Sequence, residues 1–94
     1  MNKYWPIGSV VMLIGGTRRV MILGYGRYLA NDPDHVYDYV GCAYPDGYVG
    51  AENAVLFNND QIASIVYLGL QNVEATQFGE HVAEVIAEVR SKES

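Results

Sequence analysis

The chain has 94 residues, half of them apolar and 18% charged, with a formal net charge of −5 and one cysteine. That composition excludes a disordered tail, an internal disulfide and a zinc site built from several cysteines. The acidic balance argues against the phosphate backbone of a nucleic acid as the main partner.

The first predicted strand is Ser9 to Ile14, nearly continuous in apolar residues and β-branched at Val10, Val11 and Ile14. Gly15-Gly16-Thr17 turns the chain, because glycine accepts positive φ without steric cost. Arg18 to Tyr25 returns as the second strand. Regular alternation there puts Val20 and Ile22 on one face and Met21, Leu23 and Tyr25 on the other. Asn31-Asp32-Pro33-Asp34 reads as a loop, on the turn chemistry of proline and the Asx side chains.

A third strand is expected over His35 to Ala43, with His35, Tyr37, Tyr39, Gly41 and Ala43 on one face and Val36, Asp38, Val40 and Cys42 on the other. Tyr44-Pro45-Asp46-Gly47 is a turn signal. Short strand pieces are expected at Tyr48–Val49 and Ala54–Phe57, then a helical turn capped by an Asx residue at Asn58 to Gln61. Ile62 to Leu68 is the last strand.

The period then changes. Phe78, Val82, Val85 and Val89 recur at spacings of four, three and four, one face of an amphipathic helix over residues 72–91. Asn72 is placed to cap it, and Glu88 and Lys92 are spaced to pair across one turn. The chain therefore reads as one α+β domain over residues 1–94: a small curled antiparallel sheet of about five strands, an SH3-like partial barrel over residues 5–69, with a C-terminal helix after it.

Catalytic constellations are thin. The thiol–imidazole options are Cys42 with His35 or His81; His35 and Cys42 have opposite parity on one strand, so their side chains diverge. A buried Cys42 acting as a small apolar residue is the simpler reading. Asp32, Asp34 and His35 lack the spacing of a calcium loop or a zinc site. Gly24-Tyr25-Gly26 lacks the third glycine of a dinucleotide loop, Leu29 standing in its place. The expectation is a non-enzyme without metal or cofactor.

Binding residues are better represented. Eight tyrosines in 94 residues are many. Tyr37, Tyr39, Tyr44 and Tyr48 crowd the third strand and its turn, and tyrosine offers a rigid contact surface with a polar tip. Packing across an ordinary sheet face would use the same residues. Stacking on nucleic acid needs a basic groove, and residues 31–60 hold six acids and no Lys or Arg. On the helix, Phe78 adds an aromatic anchor, and Glu80, Glu84 and Glu88 form a row at i+4 steps that either is solvated or faces a basic partner. These eight residues are the predicted partner-binding set.

Charge is also polarised along the chain. Residues 1–30 carry Lys3, Arg18, Arg19 and Arg27 and no acid, whereas all 11 acids lie in residues 31–94 beside Arg90 and Lys92. No apolar run approaches the roughly 18 residues that cross a bilayer, and no leader pattern opens the chain. With one cysteine, this predicts a cytoplasmic protein without membrane insertion.

Several segments together resemble a family of small Gram-positive bacterial proteins encoded beside type VII secretion components and LXG-type toxins. They are Trp5-Pro6-Ile7-Gly8-Ser9-Val10-Val11, Leu13-Ile14-Gly15-Gly16-Thr17, Met21-Ile22-Leu23-Gly24, Tyr37-Asp38-Tyr39-Val40-Gly41-Cys42, Tyr44-Pro45-Asp46-Gly47, Leu56-Phe57-Asn58, Asp60-Gln61-Ile62 and Val66-Tyr67-Leu68-Gly69. They occur in the family's order. The resemblance implies an adaptor or chaperone that binds a cognate LXG-type toxin, or another secretion accessory protein, in the cytoplasm. The alternative it implies is an immunity protein that neutralises a toxin domain by binding it. An open sheet edge also admits a homodimer.

Overall fold

The structure, a computed structural model, describes residues 4–29 and 32–92. Five strands, β1 (Val10–Leu13), β2 (Arg19–Leu29), β3 (Asp32–Tyr44), β4 (Val55–Phe57) and β5 (Ile62–Tyr67), form one antiparallel open sheet in the order β4-β3-β2-β1-β5. A single 19-residue helix, α1 (Val73–Ser91), comes after them. The α+β architecture expected from the sequence is present.

The connection between β4 and β5 makes the sheet curl. These strands are the two edges of the sheet, and a flat five-stranded sheet would hold its edges about 19 Å apart. They are joined only by a 3₁₀ turn, Asn59–Gln61. At about 2 Å of rise per residue, the steps from Phe57 to Ile62 reach roughly 10–13 Å. The Ile14 N–H donates to Gln61 O (2.8 Å), tying the end of β1 to that turn.

Inside the curl lie Val11, Val20, Ile22, Tyr39 and Phe57, with Tyr4 from the N-terminal segment and Val82 and Ile86 from α1. Tyr39 is fully buried and stacked on Phe57, ring centroids 5.2 Å apart. Tyr4, Tyr25 and Tyr39 form a triangle with centroids 5.6–5.9 Å apart. Edge and tilted contacts of this kind suit the aromatic quadrupole.

Two irregularities of β2 correct the expected alternation. Its register against β3 shifts between Ile22 and Gly24, so an extra residue reverses the facing of the rest of the strand. Tyr25 therefore packs beside the core that holds Val20 and Ile22, not on the face of Met21 and Leu23. Gly26, at φ 65°, lies between the Tyr25–Tyr39 and Arg27–Tyr37 pairs. Past it the parity of β3 is lost as well, and Val36 joins Tyr39 in the core.

Element boundaries also differ, β2 running on to Leu29 past the expected end at Tyr25. Asp32–Asp34, expected as loop, begin β3; Asn31 lies outside the described residues. Because β4 pairs only with Tyr39–Gly41, this part of β3 has no strand on its other side, and proline is tolerated there. Tyr48–Val49 is not a strand; a 3₁₀ turn, Ala51–Asn53, precedes β4. The turn at 44–47 forms with a cis Tyr44–Pro45 bond. At α1, Asn72 Oδ1 accepts the Ala75 N–H (2.8 Å), the expected cap. Among the described residues the ion pairs are Arg18–Asp46 and Arg90–Asp38; Glu88 and Lys92 do not pair.

Candidate interaction surface

A buried polar cluster fixes how α1 and the N-terminal segment sit on the sheet. Asp38, 4% exposed on β3, accepts the Tyr4 hydroxyl on Oδ1 (2.5 Å) and the Asn59 N–H on Oδ2 (2.8 Å), and pairs with Arg90 of α1 (3.0 Å). Arg90 also donates to Val36 O (3.0 Å) and Asn58 Oδ1 (3.1 Å). Tyr39 accepts the Trp5 N–H (3.0 Å) and donates to Asn59 Oδ1 (2.5 Å), while Tyr25 donates to Trp5 O (2.6 Å). Asn58 opens the 3₁₀ turn as expected, in a capping box in which its N–H donates to Gln61 Oε1 (2.8 Å), and its side-chain oxygen also accepts the Asp38 N–H (3.0 Å). The Asp38 carboxylate is taken up by donors of the chain itself. The cluster joins elements and holds them in register.

Burial, and next the hydrogen bond to the Asp38 carboxylate, push the Tyr4 hydroxyl well above the ordinary tyrosine range. Burial does the same for Tyr39 and, less strongly, for Tyr25. The folded state thus favours the protonated form. That contribution is complete below about pH 10, where tyrosines of the unfolded chain are also protonated, and is lost as pH rises beyond it toward the raised folded values. The urea midpoint is expected to fall steadily above about pH 10, with a shallower fall in Tyr4→Phe. A midpoint that stays level between about pH 10 and 11 would exclude this linkage.

Beside that cluster, α1 and the sheet leave a groove of about 400 Å³. Its floor is Val82, Ile86 and the Gly24–Gly26 segment of β2, and its rim is Ile7, Phe78, His81 and Val85. A Cβ placed on Gly26 would lie 3.8 Å from the Ile86 side chain, so the helix rests directly over the glycine. Phe78, 52% exposed, stands 6.0 Å from the Tyr25 ring and 6.3 Å from the His81 ring. Ile7 and Val85 are also exposed. Helical spacing sets Glu84 beside His81 and Glu88 beside Val85, so carboxylates run along one rim.

The predicted partner-binding residues divide among several places. Phe78 is in the groove; Glu84 and Glu88 are not in its lining but follow its rim residues His81 and Val85 at i+3 on α1. Glu80 instead lines a hollow at the N-terminal turns of α1 with Asn72, Val73 and Thr76. Tyr39 is a core residue and presents nothing to a partner, because the curl of the sheet closes over its face of β3. Tyr37 is half-buried, with its ring centroid 4.7 Å from that of His35. Tyr44 is exposed at the end of β3 opposite Arg19. Tyr48 is exposed and lines a separate hollow. Ile7, Tyr25, His81 and Val85 join Phe78 in the groove; for the helical residues the i+3 and i+4 spacing was the available signal, and for Ile7 the sequence carries none.

Cys42 is buried as a free thiol. Among the described residues no group of three or more His, Cys, Asp or Glu is arranged to hold a metal ion, and no helix is long and apolar enough to cross a membrane.

Together these features define a small α+β protein with an apolar groove between sheet and helix. The chain belongs to the family described as a domain of unknown function (DUF4176), whose profile matches residues 4–78. That span contains the whole sheet and the first turns of α1. No curated protein and no solved structure matches the chain.

Proposed function

We propose that this protein is a non-enzymatic accessory protein, an adaptor or chaperone that binds a cognate LXG-type toxin in the cytoplasm for type VII secretion. The observation that carries this reading is the apolar groove rimmed by Ile7, Phe78 and Val85, with Glu84 and Glu88 alongside. An aromatic anchor in a concave apolar seat is the usual centre of a binding hot spot, and a flanking acidic row selects a basic partner. The resemblance over residues 5–69 supplies the kind of partner.

The test is co-expression with the toxin encoded alongside, then affinity purification. A stable complex is expected with the wild-type chain. The Phe78→Glu/Val85→Glu variant, both positions being exposed, should keep its far-UV spectrum and lose affinity by about 100-fold. Retained affinity in that variant would remove the groove from the interface. Cells that make only this protein and survive the isolated toxin domain would instead assign it to immunity.

A further inference from the structure

We infer that two copies of this chain associate through the β5 edge of the sheet, an uncharged apolar strip that meets its own copy across a two-fold axis. β5 ends the sheet and pairs with β1 alone among the described strands. Residues 4–17 and 61–73 are the two longest stretches of the sequence without Asp, Glu, Lys or Arg, and they contain β1 and β5. Val66, Tyr67, Leu68 and Leu70 are 43–76% exposed along β5 and just past it. Ile14, 68% exposed, adjoins the start of the strand, its N–H donating to Gln61 O. The backbone between Leu68 and Leu70 is pinned: the Gly69 N–H donates to Ser9 Oγ (2.9 Å), and a Cβ on Gly69 would lie 2.5 Å from Ile7 O. The flanking leucines therefore stand on a fixed backbone, and covering them costs little further ordering. The opposite edge is built otherwise, since β4 has only three residues and lies between Glu52 and Asp60. Short strands and nearby charges protect an edge, and β5 has six residues and no charge. Two register shifts against β1 bend β5, so side chains make the contact and not a continuous backbone ladder.

The chemistry of the strip points to a second copy as its occupant. Ile62 to Leu68 is uncharged, free of Pro and Gly, and rich in β-branched and aromatic residues, the kind of segment that associates with itself. A two-fold contact needs a patch complementary to itself. A charge-free apolar strip meets that condition, whereas the acids of α1, Glu80, Glu84 and Glu88, would face their own kind. Each chain carries a net charge of −5, and at physiological salt repulsion fades beyond about 8 Å, so two copies approach best where no charge lies near the contact. A partner selected by charge finds nothing to recognise there. The area is of the right order as well: Ile14, Val66, Tyr67, Leu68 and Leu70, each 43–76% exposed, supply much of the roughly 800 Å² that one side of a standard interface buries. None of these five residues lines the α1 groove, so the contact stands or falls separately from the toxin-binding reading.

The test is sedimentation equilibrium of the purified full chain at increasing concentration. A monomer–dimer equilibrium is expected, with the dimer predominant by about 100 µM. Tyr67→Lys/Leu70→Lys, which places like charges at both positions of both copies, should weaken it at least about 100-fold while the far-UV spectrum is kept, both side chains being exposed. Leu70→Ser, at a position outside every strand and helix, is the milder variant and should weaken it about tenfold. Phe78→Glu/Val85→Glu should dimerise as the wild type does. A chain that stays monomeric throughout, association that grows past two copies, a dimer that Leu70→Ser leaves unchanged, or loss of the dimer in the groove variant would each overturn the assignment.

Discussion

Replacing Asp38 by alanine is expected to lower the free energy of unfolding by about 3 kcal/mol or more. Three donors converge on this carboxylate: the Tyr4 hydroxyl, the Asn59 N–H and the Arg90 guanidinium. Each comes from a different element, so no local rearrangement satisfies all three when the carboxylate is gone. A buried donor left unpaired costs about 1–3 kcal/mol. The Arg90 side chain is 36% exposed and regains water, which keeps the total toward the lower end of the range for a broken buried pair. Asp38→Asn keeps the volume and one acceptor, and should cost about 1–2 kcal/mol. Arg90→Ala in the Asp38→Ala background should cost less than it does in the wild type, because the ion pair is already gone and only the bonds from Arg90 to Val36 O and Asn58 Oδ1 remain to be lost. Urea denaturation of the four proteins checks this; a loss under about 1 kcal/mol for Asp38→Ala would mean that water replaces the carboxylate. For a domain of marginal stability, about 5–15 kcal/mol, the expected loss is a large share. It should fall first on α1, which buries only Val82 and Ile86 and is held at its far end by Arg90.

The same residues mark how far the fold can be read from the amino-acid order. The helix was legible because Phe78, Val82, Val85 and Val89 repeat at its period and Asn72 carries a cap. The strand at Val10–Leu13 was legible from an uninterrupted apolar run that is β-branched at Val10 and Val11. The facing of Tyr25 was not, because one extra residue between Ile22 and Gly24 reverses every later side chain and leaves no mark in the composition. The opening of β3 was hidden by loop chemistry at Asp32-Pro33-Asp34, which the exposed side of that strand tolerates. Alternation grouped Tyr37 with Tyr39, but which face the sheet curls over depends on Phe57 and Tyr4, neither of them near in sequence. Half of the groove was legible for the same reason as the helix. The other half, Ile7 and Tyr25, depends on where the N-terminal segment crosses the sheet, which the Tyr25–Trp5 and Tyr39–Trp5 hydrogen bonds decide.

Gly41→Ala is expected to be as damaging as the loss of Asp38, at about 3 kcal/mol or more, through steric overlap instead of lost polar partners. A Cβ at Gly41 would lie 2.6 Å from Met21 O, 2.7 Å from Val20 Cγ1 and 3.2 Å from Phe57 Cε1. The Val20 side chain has some freedom to rotate, but Met21 O belongs to the backbone of the adjacent strand. Gly41 cannot retreat either, since its backbone is in register with Ile22 on one side and Val55 on the other. Val20→Ala should therefore fail to rescue Gly41→Ala. Gly24→Ala is the matched comparison: its Cβ would meet Val40 Cγ1 at 3.4 Å, an ordinary contact, and should change stability by less than about 1 kcal/mol. Equal urea midpoints for the two alanine variants would refute the steric account. The difference arises from the curl. Residue 41 faces inward where β2, β3 and β4 run side by side, so the concave surface has room there for backbone and for the Phe57 ring but for no added methyl group. The β4–β5 connection, only a few residues long, requires that curvature, and the missing side chain at position 41 is one of the features that permits it.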